Sequence, residues 1–201
     1  MRPRVRSTIL ATLVASIAMT VSPSQAAHHL WRFSQVFSNA SGTTQFIQLG
    51  CPDAGENNIG AFGISSSSKS LSFATNLPSA TSTANSWVLI ATSNFGSLPG
   101  GVVPDYVLPS GNFFSTGGDT LTYASSVDSW TFGAVPTDGV HSLMRNGTTA
   151  QNAPINFAGQ TGSVDLATAT PALPSTAIVV LVGAMLLAGS GLLRKRATPT
   201  T

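Results

Sequence analysis

The chain has 201 residues, room for one domain with appended segments, and only 8% of them are charged. Its formal net charge of +2 is misleading, because Arg2, Arg4, Arg6, Arg194, Lys195 and Arg196 sit at the two ends. The middle keeps three of the nine basic residues and all seven acids, a net charge of −4, which excludes a nucleic-acid partner that would need a basic face to neutralise phosphates.

The first segment, 1–26, has the layout of an export signal. Arg2, Arg4 and Arg6 form a positive start, and Ser7 to Val21 is apolar or small. Pro23 breaks the run, and Ser24-Gln25-Ala26 places small residues at the −3 and −1 positions of a cleavage site. Cleavage between Ala26 and Ala27 is therefore expected. The new end would read Ala27-His28-His29. A free amine with histidine in third place can wrap Cu(II) or Ni(II) in a plane of one amine, two amide and one imidazole nitrogen, so Ala27, His28 and His29 are a candidate metal site.

From 27 to 146 the pattern is one of short strands. Trp31 to Phe37 opens with alternating large apolar and polar residues, Ser38 to Gly42 has turn chemistry, and Thr44 to Leu49 makes the return strand of a hairpin. Further strands are expected at Ser70–Thr75, Ser86–Ala91, Asp119–Tyr123 and Val127–Phe132. No stretch sustains a 3.6-residue period, and strands at this spacing point to an all-β antiparallel sandwich or barrel. Trp31, Phe33, Phe46, Trp87, Leu89, Leu121, Tyr123, Trp130 and Phe132 are the expected core. Each such side chain contributes roughly 1.5–3 kcal/mol on burial, so the domain can hold without a disulfide. The single cysteine, Cys51, excludes an internal disulfide in any case.

Segment 147–176 is rich in Thr, Ala, Gly and Pro and reads as a stalk, flexible over Leu166 to Ser175, with Asn152 to Gly159, which holds Ile155 and Phe157, able to pack along the domain. Residues 177–193 carry no charge, and 17 residues in a helix span about 26 Å, enough for the hydrocarbon core of a bilayer. Arg194, Lys195 and Arg196 follow at once as a membrane stop. The positive-inside rule puts 194–201 in the cytoplasm and the domain outside, the topology that the signal peptide also demands.

This end resembles the sorting signals of bacterial surface proteins, with a short motif, an apolar helix and a basic stop. Thr170-Pro171-Ala172-Leu173-Pro174 is similar to the Pro-Glu-Pro motif of the PEP-CTERM type, without its glutamate. Leu173, Pro174, Ser175, Thr176 and Ala177 are similar to the Leu-Pro-any-Thr-Gly motif of the sortase type, with Ala in place of Gly. The resemblance implies a membrane partner and a sorting enzyme, of the exosortase or the sortase type.

Residues 28 to 146 resemble the lamin-tail domain. The carrying pieces are Gln45-Phe46-Ile47-Gln48-Leu49, the strand ending at Phe73, Leu77-Pro78 and Trp87-Val88-Leu89-Ile90-Ala91. Gly118-Asp119-Thr120-Leu121-Thr122-Tyr123, Val127-Asp128-Ser129-Trp130 and Ser142-Leu143-Met144-Arg145 complete the order. The resemblance implies an immunoglobulin-like antiparallel β-sandwich. Gln45 and Gln48 stand where that family's motif has glutamates.

For chemistry the residues offer little. There are three histidines and one cysteine, no Gly-x-Ser-x-Gly elbow, no phosphate loop and no zinc spacing. Asp53, Glu56, Asn57 and Asn58 could offer oxygens to calcium but lack the Asp-x-Asp spacing of a dedicated loop. The expected protein is non-enzymatic and cofactor-free, an extracytoplasmic binding or structural module whose partner is an extracellular polymer or protein. The alternative is an exported hydrolase or metal-dependent enzyme, for which Asp119 and His141 are the residues to examine.

Overall fold

The structure is a computed structural model, and it describes residues 28–167. These form ten strands and one short 3-10 turn at Phe95–Ser97. The strands are β1 (Arg32–Ser38), β2 (Gln45–Cys51), β3 (Gly63–Ser65), β4 (Ser70–Ser72), β5 (Ser86–Ala91), β6 (Tyr106–Val107), β7 (Asp119–Tyr123), β8 (Asp128–Phe132), β9 (His141–Met144) and β10 (Thr149–Gln151). They build a six-stranded sheet of order β10-β9-β1-β2-β5-β6 and a four-stranded sheet of order β4-β3-β7-β8. All pairings are antiparallel except β5 with β6. The chain is all-β with two sheets, as its turn-bounded strands imply. The β1–β2 hairpin forms with Ser38 opposite Gln45.

The space between the sheets is filled by Phe33, Val36, Ile47, Leu49, Val88 and Ile90 from the larger one. Ile64, Leu121, Tyr123, Trp130 and Phe132 meet them from the smaller. Side chains alternate along a strand, so Phe46 and Leu89 must face away from this core. They join Phe37, Ala91, Phe95, Val102 and Val164 in a second cluster on the far side of the six-stranded sheet. That sheet is thus covered on both faces, which explains why β1 and β2 are buried almost throughout.

Strict alternation fails once within β1. Phe33 and Val36 are three apart, yet both enter the inter-sheet core, because the register with β2 slips between Phe33 and Gln35. Ser34 is the extra residue. Its carbonyl accepts from the Arg145 amide (2.8 Å), and its hydroxyl donates to the Gln48 carbonyl (3.1 Å).

Two expectations change. Trp87 is half-buried rather than in the core: it lies on the outer face of β5, with its ring over Gly50. A Cβ at Gly50 would stand 2.6 Å from that ring, so the glycine makes room for the indole. The domain also continues past residue 146. β10 pairs with β9, and Asn152, Phe157 and Val164 are buried. The reason is polar. Asn152 donates to the carbonyls of Val140 (2.6 Å) and Val164 (2.7 Å) and accepts from the Val164 amide (2.8 Å). Gln35 donates to the Ala153 carbonyl (2.8 Å), and Gln48 accepts from the Ile155 amide (2.8 Å). A segment with few apolar residues is held by side-chain amides. Among the described residues no helix is long and apolar enough to cross a membrane. The expected cleavage site at Ala26 and Ala27, the motif Leu173 to Ala177, the span 177–193 and the stop Arg194 to Arg196 lie outside the described residues.

Candidate functional site

The expected site residues divide into those that brace the fold and those that face solvent. At the amino end the His28 ring stacks on Phe62 at 3.6 Å, and its carbonyl accepts from the Tyr123 hydroxyl (3.0 Å). His29 is exposed, with Nδ1 3.6 Å from a Glu56 carboxylate oxygen. The first ligand of a planar metal claw, the Ala27 amine, lies outside the described residues. Glu56 and Asn57 are taken up by the fold. Glu56 accepts from the Leu30 amide (3.0 Å), and its own carbonyl accepts from the Trp31 indole (2.9 Å). Asn57 donates to the carbonyls of Pro78 (2.8 Å) and Thr81 (3.0 Å). Among the described residues no three metal-ligating side chains come together.

Asp119 and His141 are not brought together, since one lies on β7 of the smaller sheet and the other on β9 of the larger. Burial opposes ionisation of Asp119, but the amides of Ser115, Ser67 and Thr120 donate to it and hold its carboxyl below the usual range. His141 pairs through Nδ1 with Asp138, both exposed, at the start of β9. Cys51 is buried, its thiol donates to the Asp53 carbonyl (3.2 Å), and burial raises its pKa.

The two motif glutamines have clear work. Gln45 is fully buried; its amide donates to the Phe114 carbonyl (2.9 Å) and accepts from the Phe113 amide (2.7 Å). A carboxylate could accept but not donate, so an amide suits this clamp on the loop before β7.

A surface feature that sequence reasoning missed is a cleft of about 400 Å³. Three separate segments make it: the β4–β5 loop (Thr75 to Pro78 and Thr81), the start of β6 (Asp105 and Tyr106), and the docked carboxyl-terminal segment (Phe157 and Ala158). Its walls are tied down. Asn57 holds the 78–81 turn, and Asn156 holds the 156–160 turn through the Gln160 amide (2.9 Å) and the Val103 carbonyl (3.0 Å). Tyr106 stacks on Phe73 at 4.2 Å and donates to the Thr75 carbonyl (2.7 Å). Burial pushes its hydroxyl up to about 12.

Asp105 is the one charged group in the cleft. Its carboxylate accepts from the amides of Leu89 (2.8 Å) and Phe157 (2.9 Å). Burial nonetheless raises its pKa above the ordinary value, against the pull of those two amides. A second, more apolar groove of about 330 Å³ lies beside Trp87, bounded by Arg32, Phe33 and Cys51. No family model, no curated protein and no solved structure matches the chain.

Proposed function

We propose that the protein is a non-enzymatic binding module, exported by segment 1–26 and displayed outside the membrane by the apolar span 177–193 with its basic stop. The observation that carries this reading is the cleft between the β4–β5 loop, β6 and the 156–160 turn, whose walls are set in advance by buried asparagines. A concave site with fixed walls and a few convergent polar groups is what ligand binding requires. The three buried acids outside it are engaged in holding the fold. Asp128 takes Arg145 and the Phe33 amide, Glu56 takes the Leu30 amide, and Asp119 takes three amides.

The finer fold we propose is the immunoglobulin-like sandwich of the lamin-tail type. In its support, the motif pieces fall on successive strands, from β2 through β5, β7 and β8 to β9. Two of those pieces also meet. Arg145, closing Ser142-Leu143-Met144-Arg145, donates to both carboxylate oxygens of Asp128 at 3.0 Å, and its guanidinium lies 5.5 Å from the Trp130 ring centre.

The test is the fate of the two ends in a bacterial host. Membrane fractionation, protease digestion of intact cells and mass spectrometry of both termini are the measurements. The reading expects a mature chain starting at Ala27, cleavable from outside. A product ending near Thr176 would mean processing by a sorting enzyme, and an intact Arg194 to Arg196 would mean a permanent anchor. A chain that keeps residues 1–26 and stays in the cytoplasm would overturn it.

A further inference from the structure

We infer that the cleft at Asp105 receives one unit of a neutral glycan. The inference deepens the binding-module reading and rests on it. The charge of the cleft selects first. No cationic side chain lines it, and the domain around it is acidic, so anionic ligands lack a counter-charge. The single acid is already engaged, because Asp105 accepts from the backbone amides of Leu89 and Phe157, and no second acid stands beside it to complete a cation site. What remains on its oxygens is spare acceptor capacity, enough for a hydroxyl.

The rest of the lining is mixed in the way a sugar ring is mixed. Thr75 Oγ1, Thr81 Oγ1 and Asn76 Nδ2 make no hydrogen bond among the described residues, whereas Asn76 Oδ1 is occupied by the Gly60 amide (2.7 Å). Thr75, Asn76 and Thr81 are exposed residues at the rim of the cleft, so two hydroxyls and one amide donor are offered around the same space as the Asp105 carboxylate. Between them the edges of Leu77 and Phe157, both largely buried, give the cleft an apolar lining that ring C–H groups can meet. A ligand rich in hydroxyls but carrying C–H faces satisfies both sets. A purely apolar ligand would leave the polar groups dry, at about 1–3 kcal/mol for each one buried unpaired. The pinned turns on either side keep these groups in place before a ligand arrives, which lowers the ordering cost of binding.

The experiment uses the full chain in lipid nanodiscs, which avoids sugar-based detergents. Saturation-transfer NMR is recorded with glucose, galactose, mannose, N-acetylglucosamine and their β-linked disaccharides, and with choline and acetate as cationic and anionic arms. At least one neutral sugar is expected to receive saturation at its ring protons, and choline and acetate are expected to receive none. Ala158→Trp, at the exposed rim, fills the cleft and is expected to weaken that sugar at least about tenfold. Asn76→Ala removes the amide donor, together with the acceptor of the Gly60 amide, and is expected to weaken sugar binding about fivefold to tenfold, the equivalent of one hydrogen bond. Trp87→Ala, in the other groove, is expected to leave binding unchanged. Thermal melts of each variant establish folding, and Thr81→Val serves as a second polar probe should Asn76→Ala unfold. The inference is overturned by a panel in which no sugar binds, by preferential binding of choline or acetate, or by a sugar that Ala158→Trp binds as well as the parent does. Display at the surface without sugar binding would sink this inference alone, and sugar binding by a chain that is never exported would sink the surface reading alone.

Discussion

Gln45→Glu is the substitution that restores the residue type of the lamin-tail motif, and it is expected to destabilise this domain in a pH-dependent way. Gln45 is fully buried, and its Nε2 donates to the Phe114 carbonyl while its Oε1 accepts from the Phe113 amide. A protonated glutamic acid can reproduce both contacts, so at pH 4 the cost is expected below about 1 kcal/mol. An ionised one faces the Phe114 carbonyl with two acceptors and no counter-charge. Burial then raises the folded-state pKa of the introduced carboxyl, for which a shift of about 2 to 3 units is a moderate value. The unfolded chain keeps a pKa of about 4.3. Stability of the variant is therefore complete below about pH 4, falls by about 1.4 kcal/mol per unit as pH rises through the shifted range, and levels off near pH 7 at a loss of about 3–4 kcal/mol. Thermal melts of a fragment spanning residues 27–167, variant against parent, should separate by roughly 10 °C at pH 7 and by little at pH 4. The quantity to compare is the difference between the two proteins at each pH, which cancels the titration of shared groups. A loss that is the same at pH 4 and pH 7, or no loss at all, would refute the clamp.

Four further outcomes are expected. Asp128→Ala leaves the Phe33 amide and Arg145 without their partner and should cost about 3 kcal/mol in urea denaturation. Arg145→Ala should cost somewhat less, because its side chain is 39% exposed, and a double-mutant cycle should show coupling of about 1–2 kcal/mol, with strict additivity counting against the pair. Asp138 is held down to about 2, foremost by the His141 amide and also by the His141 ring and the Val140 amide. With its pKa depressed, its contribution is present above the usual carboxylate range and lost as pH falls towards 2. Exchange protection of the Val140 and His141 amides should therefore weaken between pH 4 and pH 2, and no longer do so in Asp138→Ala. Cys51, buried and with its pKa raised, should resist iodoacetamide at pH 8 in the folded protein and react at the rate of a free thiol in urea. Truncation after residue 146 removes β10, Phe157 and Val164 and uncovers Phe37, Phe46 and Leu89. That fragment should melt without cooperativity and bind a hydrophobic dye, whereas a chain ending at 167 should melt in one step.

Much of the architecture was legible because its main strands are long and bounded by turn residues. β5, β7 and β8 follow the expected segments within a residue, and the β1–β2 hairpin needed only the turn chemistry of Ser38 to Gly42. What escaped has physical causes. β3, β6 and β10 are two or three residues long, too short for any period to register, and β10 is wholly exposed. The bulge at Ser34 breaks alternation without any glycine to mark it. Trp87 looks like core by residue type, and its position opposite Gly50 on the outer face leaves it half-buried. The cleft was illegible for a different reason: Asn76, Asp105 and Phe157 are far apart in the chain, and Phe157 joins the other two through the docking of the carboxyl-terminal segment.

That return also changes what the proposed anchor can do. Read as a stalk, residues 147–176 would let the domain stand as much as about 100 Å from the membrane when fully extended. In the structure the chain is still bonded to the domain at Leu166, whose amide donates to the Gly139 carbonyl (2.9 Å). Nine residues, 168–176, then remain before the apolar span, and they can cover at most about 30 Å. A domain of this size is about 30–40 Å across, so its cleft would lie within roughly 70 Å of the bilayer surface. An anchored copy is therefore suited to polymer or protein in the envelope layer next to the membrane, and a processed copy, released near Thr176, carries no such restriction. Lengthening the chain by twenty residues after Ala167 separates the two cases. It should extend the reach of an anchored domain to a bead-bound ligand held beyond 70 Å, and make no difference to one that has been cut free.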